Sequence, residues 1–347
     1  MSFNRPLVAP IANPMLQQAL ERKIEKHGAA FGRLGELEPL AVRLGLIQNS
    51  LKATFEAARI VVFAADHGLA VDGIGAAMHR STEQQVRALL SLQLPLSVFA
   101  ELQGLALSVV DSGIAQAVQP HPRLLARKIA HGTRNARAGP AMSHEQAQAA
   151  VRAGMEIARS LAGNAVAFAG IGVGSRESAA LVLACLSGAD VREFLGLYGR
   201  SPDAAAESLL AVLHAVQARH REAVEPLAAL AAFGGFEVAM MVGAMLVAAS
   251  ERRLIVADGI PACAALLVAS RISPAVIDYC LYCRSHGDKG LDAALALFQA
   301  NALLELGIET VDGTGATLAW PLLRSAAALL ADVADAEDAG TDPQRDA

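Results

Sequence analysis

Short apolar runs alternate along this chain with polar loops that are rich in glycine. Four of the runs, at residues 59–65, 105–110, 164–169 and 253–257, consist mainly of Val, Ile, Leu and Ala. Continuous apolar runs of this length are typical of strands that are covered on both faces. The longer segments between them, such as 144–161, repeat apolar residues every three or four positions and predict helices. The repetition predicts an α/β fold, with a parallel Rossmann-like sheet and helices on both faces.

The two ends of the chain lack this alternation and show only helical spacing. We therefore expect a small helical domain, formed by residues 1–55 together with residues 291–335. Residues 56–290 are expected to form a large α/β nucleotide-binding domain. The last residues, 336–347, are acidic and contain a proline, and they predict a disordered tail.

Polar loops follow the predicted strands, and in such sheets ligands bind at the carboxyl ends of the strands. The first strand ends in Asp66-His67-Gly68, which is open to three interpretations: a catalytic acid–base pair, a metal-binding pair or a polar strand end. The third strand leads into Gly-Ile-Gly-Val-Gly-Ser at 170–175. Backbone N–H groups at a helix start can hold a phosphate, and a tight strand-to-helix turn explains the glycines equally well.

A single carboxylate stands in a glycine-rich loop near the C-terminus, Val311-Asp312-Gly313-Thr314-Gly315-Ala316. Two glycines allow the backbone to approach a ligand closely. Asp-Gly is also an ordinary turn dipeptide, so the loop by itself predicts a turn as readily as a catalytic acid.

Composition narrows the class of protein. Apolar residues make up 54% of the chain, charged residues 18% and aromatic residues 4%, so the sequence can build a large core of small aliphatic side chains. The formal net charge of -5 predicts no nucleic-acid partner. Apolar runs such as 240–250 are shorter than the roughly 20 residues of a membrane span, and no signal sequence is recognisable. We expect a cytoplasmic protein without a membrane partner.

Two cysteines, Cys280 and Cys283, have the spacing of a metal or redox motif, and His286 lies nearby. A zinc site needs a second cluster of ligands, and a redox motif should open a helix after a strand. No second cluster of ligands is evident in the sequence. The pair also lies within an apolar segment of helical character, not at the start of a helix that follows a strand. We expect these cysteines to be packing residues and expect no metal site.

Motifs spread over nearly the whole chain form an ordered set. They are Phe-Gly-Arg-Leu-Gly-Glu-Leu at 31–37, Phe-Ala-Ala-Asp-His-Gly at 63–68, Gly-Pro-Ala-Met-Ser at 139–143 with Gly-Met-Glu-Ile-Ala at 154–158, Gly-Gly-Phe-Glu-Val-Ala at 234–239 with Asp258-Gly259, and Asp-Gly-Thr-Gly-Ala at 312–316 with Leu-Ala-Trp-Pro at 318–321. In this order they resemble the nicotinate-nucleotide–dimethylbenzimidazole phosphoribosyltransferase family, which builds the lower nucleotide loop of cobalamin.

The resemblance implies a homodimer that transfers the ribose phosphate of nicotinate mononucleotide to 5,6-dimethylbenzimidazole, giving α-ribazole 5′-phosphate and nicotinate. It implies no cofactor. It places the catalytic base at Asp312 and the base-binding residues at Asp66, His67, Gly75 and Gln84. The nucleotide and its phosphate would be bound by a further set of residues: Gly172, Gly174, Ser175, Arg176, Arg200, Gly234, Gly313 and Gly315.

The chain departs from the family pattern where ligands would bind. The catalytic glutamate of the family is matched by Asp312, and a second family glutamate falls on Gly170. An Asn-Thr-Thr after the glycine loop becomes Ser-Arg-Glu at 175–177, where Arg176 can replace the lost phosphate contacts. The serine and the aromatic residue of the family's base pocket are replaced by Gly75 and Ala77.

These departures leave two hypotheses. The first is an active transferase, with dimethylbenzimidazole or a related base as acceptor. The second is a non-catalytic or repurposed paralogue that binds a nucleotide or a cobamide precursor. A third interpretation, a nicotinamide-dinucleotide oxidoreductase, fails because the glycine spacing at 170–174 is not Gly-x-Gly-x-x-Gly.

Overall fold

A seven-stranded parallel sheet forms the centre of the molecule, which is described here from a computed structural model covering residues 4–74, 80–197, 203–284 and 289–333. The strand order is β3-β2-β1-β4-β5-β6-β7. The strands are β1 (Arg59–Ala65), β2 (Ala106–Gly113), β3 (Leu124–Ala126), β4 (Ala165–Ile171), β5 (Leu254–Ala257), β6 (Cys280–Arg284) and β7 (Ala302–Leu304). The order reverses between β1 and β4, and in doubly wound sheets such a reversal opens a crevice at the carboxyl ends of the strands.

Helices connect the strands and cover the sheet. They are α1 (Pro14–Phe31), α2 (Leu37–Gln48), α3 (Thr82–Leu90), α4 (Pro95–Leu102), α5 (His144–Ser160), α6 (Ser175–Ser187), α7 (Val191–Phe194), α8 (Ala204–Arg219), α9 (Pro226–Phe233), α10 (Phe236–Ser250), α11 (Ile260–Ile272), α12 (Lys289–Ala296) and α13 (Thr314–Ala328). The predicted α/β class with a parallel Rossmann-like sheet is confirmed.

The central strands are buried along their whole length, as their apolar runs predict. Every residue of β4 and β5 is buried, and in β1 only Arg59 is partly exposed. Glycines allow the helices that cover them to approach closely. A β-carbon on Gly154 of α5 would lie 1.8 Å from the Met240 carbonyl oxygen, so α5 and α10 are in backbone contact.

Three strands differ from the expectations. Cys280 and Cys283 lie on strand β6, not on a helix, and both thiols are buried. Burial raises the pKa of the Cys280 thiol, which suits a packing residue. Strand β7 lies in the C-terminal stretch that was expected to be helical, and it pairs with β6. The short edge strand β3 was not predicted either.

The terminal segments pack on one another. Helix α2 contacts α1 and α13, and α1 and α2 both contact residues 329–333. The division into two domains stays a prediction, and the expected tail lies outside the described residues. Among those described, one helical stretch, Thr314–Val333, is long and apolar enough to cross a membrane. Buried core helices meet the same criterion, and α13 packs against α2, α4 and β6.

Candidate active site

Glycine caps the start of four helices at the crevice. Gly174, Gly235, Gly259 and Gly313 are the N-cap residues of α6, α10, α11 and α13, so none of these helices has an N-cap side chain to bind its first N–H groups. Elsewhere in the described residues, helices such as α5 begin with a serine whose side chain caps the first turn. Uncapped helix N-termini offer N–H donors and a partial positive charge, which together favour an anion.

The glycine loop, residues 170–175, requires glycine for steric reasons. A β-carbon on Gly172 would lie 1.8 Å from the Ala65 carbonyl oxygen, so the loop touches the end of β1. Gly174 has a φ of +84°, in the left-handed region that favours glycine. Its α-carbon also faces His67, to whose Cβ an added β-carbon would lie 3.0 Å away. The loop is therefore seated on the Asp66-His67 strand end.

Asp66 connects the ends of three strands. Its Oδ1 accepts a short hydrogen bond from the Thr82 hydroxyl, and its Oδ2 accepts one from the Ala115 N–H at 2.7 Å. Thr82 in turn accepts the N–H of Val173 at 3.0 Å. Asp66 thus positions the glycine loop through Thr82, while both of its carboxylate oxygens are already engaged.

A buried network joins His67, Glu237 and Ser175. The Nε2 of His67 lies 2.9 Å from Oε1 of Glu237, and the Ser175 hydroxyl donates to the same oxygen at 2.8 Å. The three residues are 4%, 0% and 3% exposed, in the order His67, Glu237, Ser175. Oε2 of Glu237 has no hydrogen-bond partner among the described residues. The first residue of α6 is therefore tied to the start of α10 and to the end of β1.

The charge of His67 is determined by this network. Burial is the largest single influence and disfavours the imidazolium, but the attraction and hydrogen bond of Glu237 oppose it. Asp66 and Glu177 add further negative charge, and together these groups raise the pKa of His67 above its ordinary value. His67 therefore binds its proton more tightly than a solvent-exposed histidine does.

Asp312 lies against the start of α11. A β-carbon on Gly259 would be 2.1 Å from Asp312 Cγ and 2.2 Å from its Oδ2, so the carboxylate occupies the space beside the glycine α-carbon. The adjacent Gly313 has a φ of +95° and faces Ala169 of β4. The structure thus brings the predicted acid to the carboxyl ends of β4 and β5. The neighbouring Asp258 is buried, and its Oδ2 accepts the N–H of Ala316 at 3.3 Å.

The other predicted site residues lie on several different elements of the fold. Gly315 is buried in the first turn of α13, and a β-carbon on Gly234 would meet Leu230 of α9. The guanidinium of Arg176 lies against Gly290 of α12, because a β-carbon there would be 3.0 Å from its Nη2. Gln84 is exposed, and its side chain accepts the N–H of Ser81 in the capping box of α3. Gly75 and Arg200 lie outside the described residues.

Gly170, where the resemblance implies a second glutamate, is a packing position. A β-carbon there would lie 2.7 Å from Cβ of Pro261 and 3.0 Å from the terminal methyl of Met241. The backbone of β4 therefore leaves no space for a longer side chain.

Sequence reasoning missed two contributors. Thr82 was not considered, and its hydroxyl bridges Asp66 and the glycine loop. Lys128 was not considered, and its ammonium lies 3.3 Å from Oδ2 of the buried Asp111 and also donates to the Ile114 carbonyl. Asp111 lies two residues before the end of β2, and Lys128 follows β3. An acid near the end of one strand and a lysine after the next strand were the available sequence signal.

The described ranges contain no group of three or more His, Cys, Asp or Glu side chains that could hold a metal ion. The acids at this site are engaged with backbone N–H groups, hydroxyls and His67 instead. The arrangement suits recognition of a phosphate by helix N-termini, with a carboxylate beside it that can accept a proton.

Comparison with known proteins identifies the family. The sequence profile described as Phosphoribosyltransferase matches residues 9–341. A nicotinate-nucleotide–dimethylbenzimidazole phosphoribosyltransferase of Variovorax paradoxus is 43% identical over 96% of this chain and 96% of its own length. One of Cupriavidus taiwanensis is 41% identical over 94% of each chain.

A solved structure agrees with these sequence matches. The enzyme of the same name from Thermus thermophilus superimposes with a TM-score of 0.84 and 29% identity, covering 92% of this chain and 96% of the other. This chain therefore belongs to the nicotinate-nucleotide–dimethylbenzimidazole phosphoribosyltransferase family.

Proposed function

We propose that this chain transfers the ribose phosphate of nicotinate mononucleotide to 5,6-dimethylbenzimidazole or a related base, giving α-ribazole 5′-phosphate and nicotinate in cobalamin biosynthesis. The observation that carries the proposal is the position of Asp312. In a chain of this family, its carboxylate lies beside the glycine-capped start of α11.

The reaction exchanges one bond at the anomeric carbon of the ribose. A ring nitrogen of the base forms the new C–N bond, and the bond to nicotinate breaks, with inversion. The attacking benzimidazole must lose its other N–H proton, and a carboxylate within reach can accept it. Asp312 is the proposed acceptor. The reaction moves one pentosyl group and one proton, so we propose that it uses no cofactor.

The nucleotide phosphate is proposed to bind at the start of α6. Gly172 and Gly174 allow the loop to lie flat against β1, and α6 begins without a side-chain cap from the described residues. Ser175, Arg176, Arg200, Gly234, Gly313 and Gly315 complete the proposed set. The hydroxyl of Ser175 donates to Glu237 at 2.8 Å and its N–H donates to the Gly172 carbonyl at 3.2 Å, so we propose that Ser175 supports the phosphate site by fixing the shape of the loop.

The acceptor base is proposed to lie near Asp66, His67, Gly75 and Gln84. Asp66 and His67 are engaged in hydrogen bonds of their own, which supports a role in shaping the pocket. We also propose a homodimer in the cytoplasm, and a small helical domain of residues 1–55 and 291–335 beside the large domain. These last proposals rest on the family resemblance and on the composition.

The test is nicotinate release from nicotinate mononucleotide, with and without dimethylbenzimidazole, followed by chromatography. We expect release that depends on the base, and its loss in Asp312→Asn, whose amide cannot accept the proton. Nucleotide binding by calorimetry should be similar in both proteins. An absence of turnover with benzimidazole, purine or phenolic acceptors, together with measurable nucleotide binding, would favour the non-catalytic alternative. The curated relatives reported above all carry the transferase name, which favours the enzyme.

A further inference from the structure

The buried pair of His67 and Glu237 has no role in the proposed proton transfer, although it lies directly beneath the glycine loop. Among the described residues, the one further hydrogen bond of these two side chains comes from the hydroxyl of Ser175, at the first position of α6. We propose that His67 and Glu237 are positioning residues, which hold the start of α6 and the glycine loop in the geometry that receives the nucleotide phosphate.

The geometry supports this assignment in three ways. Oε1 of Glu237 accepts both hydrogen bonds, at 2.9 Å from His67 and 2.8 Å from Ser175. The carboxylate has no contact with water, since Glu237 is 0% exposed. Gly235 leaves space for it, because a β-carbon there would lie 2.1 Å from Oε2 of Glu237 and 2.3 Å from Cε1 of His67.

A buried carboxylate needs a compensating charge. Within the described chain Oε2 of Glu237 has no hydrogen-bond partner, so the nearest compensation is the imidazolium of His67. The other charged groups acting on His67, Asp66 on its own strand end and Glu177 on α6, are acidic. When His67 loses its proton, the negative charge at this place is no longer balanced, and such a charge is costly in a buried site. An unbalanced buried carboxylate is stabilised by moving towards water and away from Ser175, so the loop is expected to loosen.

The pair thereby couples the protonation of His67 to the affinity for the nucleotide. The identity of the ligand, a nucleoside monophosphate, rests on the proposed function, whereas the restraint of the loop does not. Loop mobility is therefore the primary measurement, because it needs no ligand and no turnover.

The experiment is hydrogen exchange of the peptide covering the glycine loop, followed by mass spectrometry at about pH 6 and about pH 9 and corrected for intrinsic rates. The variants are His67→Gln, Glu237→Gln, Gly235→Ala and Ser175→Ala. Wild-type loop exchange should be faster at the higher pH. In His67→Gln we expect it to be about tenfold faster at the lower pH and to lose its pH dependence. His214→Gln is the matched control, because it breaks an exposed pair with Asp190 at 3.5 Å.

A second measurement separates the two proposals. With nicotinate mononucleotide, Ser175→Ala and His67→Gln should raise KM about tenfold and leave kcat within about twofold. If the wild-type protein binds no nicotinate mononucleotide, the proposed function fails, and loop exchange still decides the role of the pair. If His67→Gln does not fold, Ser175→Ala decides, since it removes one hydrogen bond and leaves the pair in place. Loop exchange equal to wild type in the folded variants would overturn the inference.

Discussion

The carboxylate of Asp312 lies directly against the α-carbon of Gly259, at the start of α11. A β-carbon at position 259 would be only 2.2 Å from Asp312 Oδ2. The two residues are far apart in the sequence, yet the residue type at position 259 and the position of the Asp312 carboxylate depend on each other. Gly259 must be glycine because the acid occupies the space of its side chain, and the acid keeps its place because that space is free.

Gly259→Ala should therefore impair the reaction by displacing Asp312. A shift of about 1 Å in a catalytic group can cost roughly a hundredfold in rate, so we expect a fall of that order in kcat. The measurement is nicotinate release under saturating nucleotide and base.

Gly32→Ala is the matched control for that experiment. Gly32 has a φ of +100° and a ψ of 164°, close to the +99° and 165° of Gly259, but a β-carbon there would meet no described atom within 4 Å. Both substitutions carry a similar backbone strain of about 1–3 kcal/mol, whereas only one displaces a carboxylate. Equal activities for the two variants would show that Asp312 is not displaced or not required.

The pH dependence of stability should report on His67. Its pKa in the folded protein is raised above 6.5, so the folded state holds this proton more tightly than the unfolded chain. The stabilisation is fully present below about pH 6.5 and is lost as the pH rises through the folded pKa. Within that window His67 should contribute a decrease of up to about 1.4 kcal/mol per pH unit in the free energy of unfolding.

Denaturant unfolding between about pH 6 and about pH 9 measures this slope. His67→Gln should remove the contribution, because glutamine does not titrate, while the control His214→Gln should retain it. A variant profile parallel to that of the wild type would place the pH dependence on other groups.

The hydroxyl of Thr82 gives a separate test of how the glycine loop is held. Thr82→Val keeps the shape of the side chain but leaves the Val173 N–H and Oδ1 of Asp66 without this partner. Such losses cost about 1–3 kcal/mol each where the groups are buried. We expect a lower thermal midpoint and weaker nucleotide binding.

Thr317→Val is the control for that substitution. Thr317 is also buried, but its hydroxyl bonds the Thr314 carbonyl within the same helix. A smaller loss of stability is expected, with nucleotide binding unchanged. Similar effects of the two substitutions on binding would contradict the bridging role of Thr82.

The central strands could be predicted from the sequence, whereas the edge strands could not. Strands β1, β4 and β5 are covered on both faces, so they appear as continuous apolar runs. Strands β3 and β7 have three residues each and are only partly buried, which leaves no periodic pattern to detect. Strand β6 follows α11 after a short 3-10 helix at Pro274–Tyr279, so no polar glycine-rich loop marks the boundary between helix and strand.

At the site, features that depend on neighbouring residues could be predicted from the sequence, whereas contacts between distant residues could not. Glycines 172, 174, 259 and 313 were recognisable because each follows or opens a predicted element. The partner of His67 was not, because Glu237 is 170 residues away along the chain. Glu237 alone looks like an acid that favours a helix start. Only the order of the strands, which brings α10 beside the end of β1, makes it the partner of a buried histidine.

Restoring the second glutamate that the family pattern implies should harm this protein. Gly170 lies within β4, and a β-carbon there would be 2.7 Å from Cβ of Pro261 and 3.0 Å from the terminal methyl of Met241. Gly170→Glu would force the strand and α11 apart and would bury a carboxylate among apolar atoms. A buried charge without a partner destabilises by about 3 kcal/mol or more, so we expect a large fall in the thermal midpoint and no gain in nicotinate release.

Gly139→Glu is the control, because a β-carbon at that position meets no described atom within 4 Å and the added charge can reach solvent. It should unfold close to the wild-type temperature. If Gly170→Glu were instead as stable as Gly139→Glu and released nicotinate faster than the wild type, the packing of α11 against β4 would be adaptable. The second carboxylate would then be a missing part of the catalytic site, and the glycine found here would account for reduced activity.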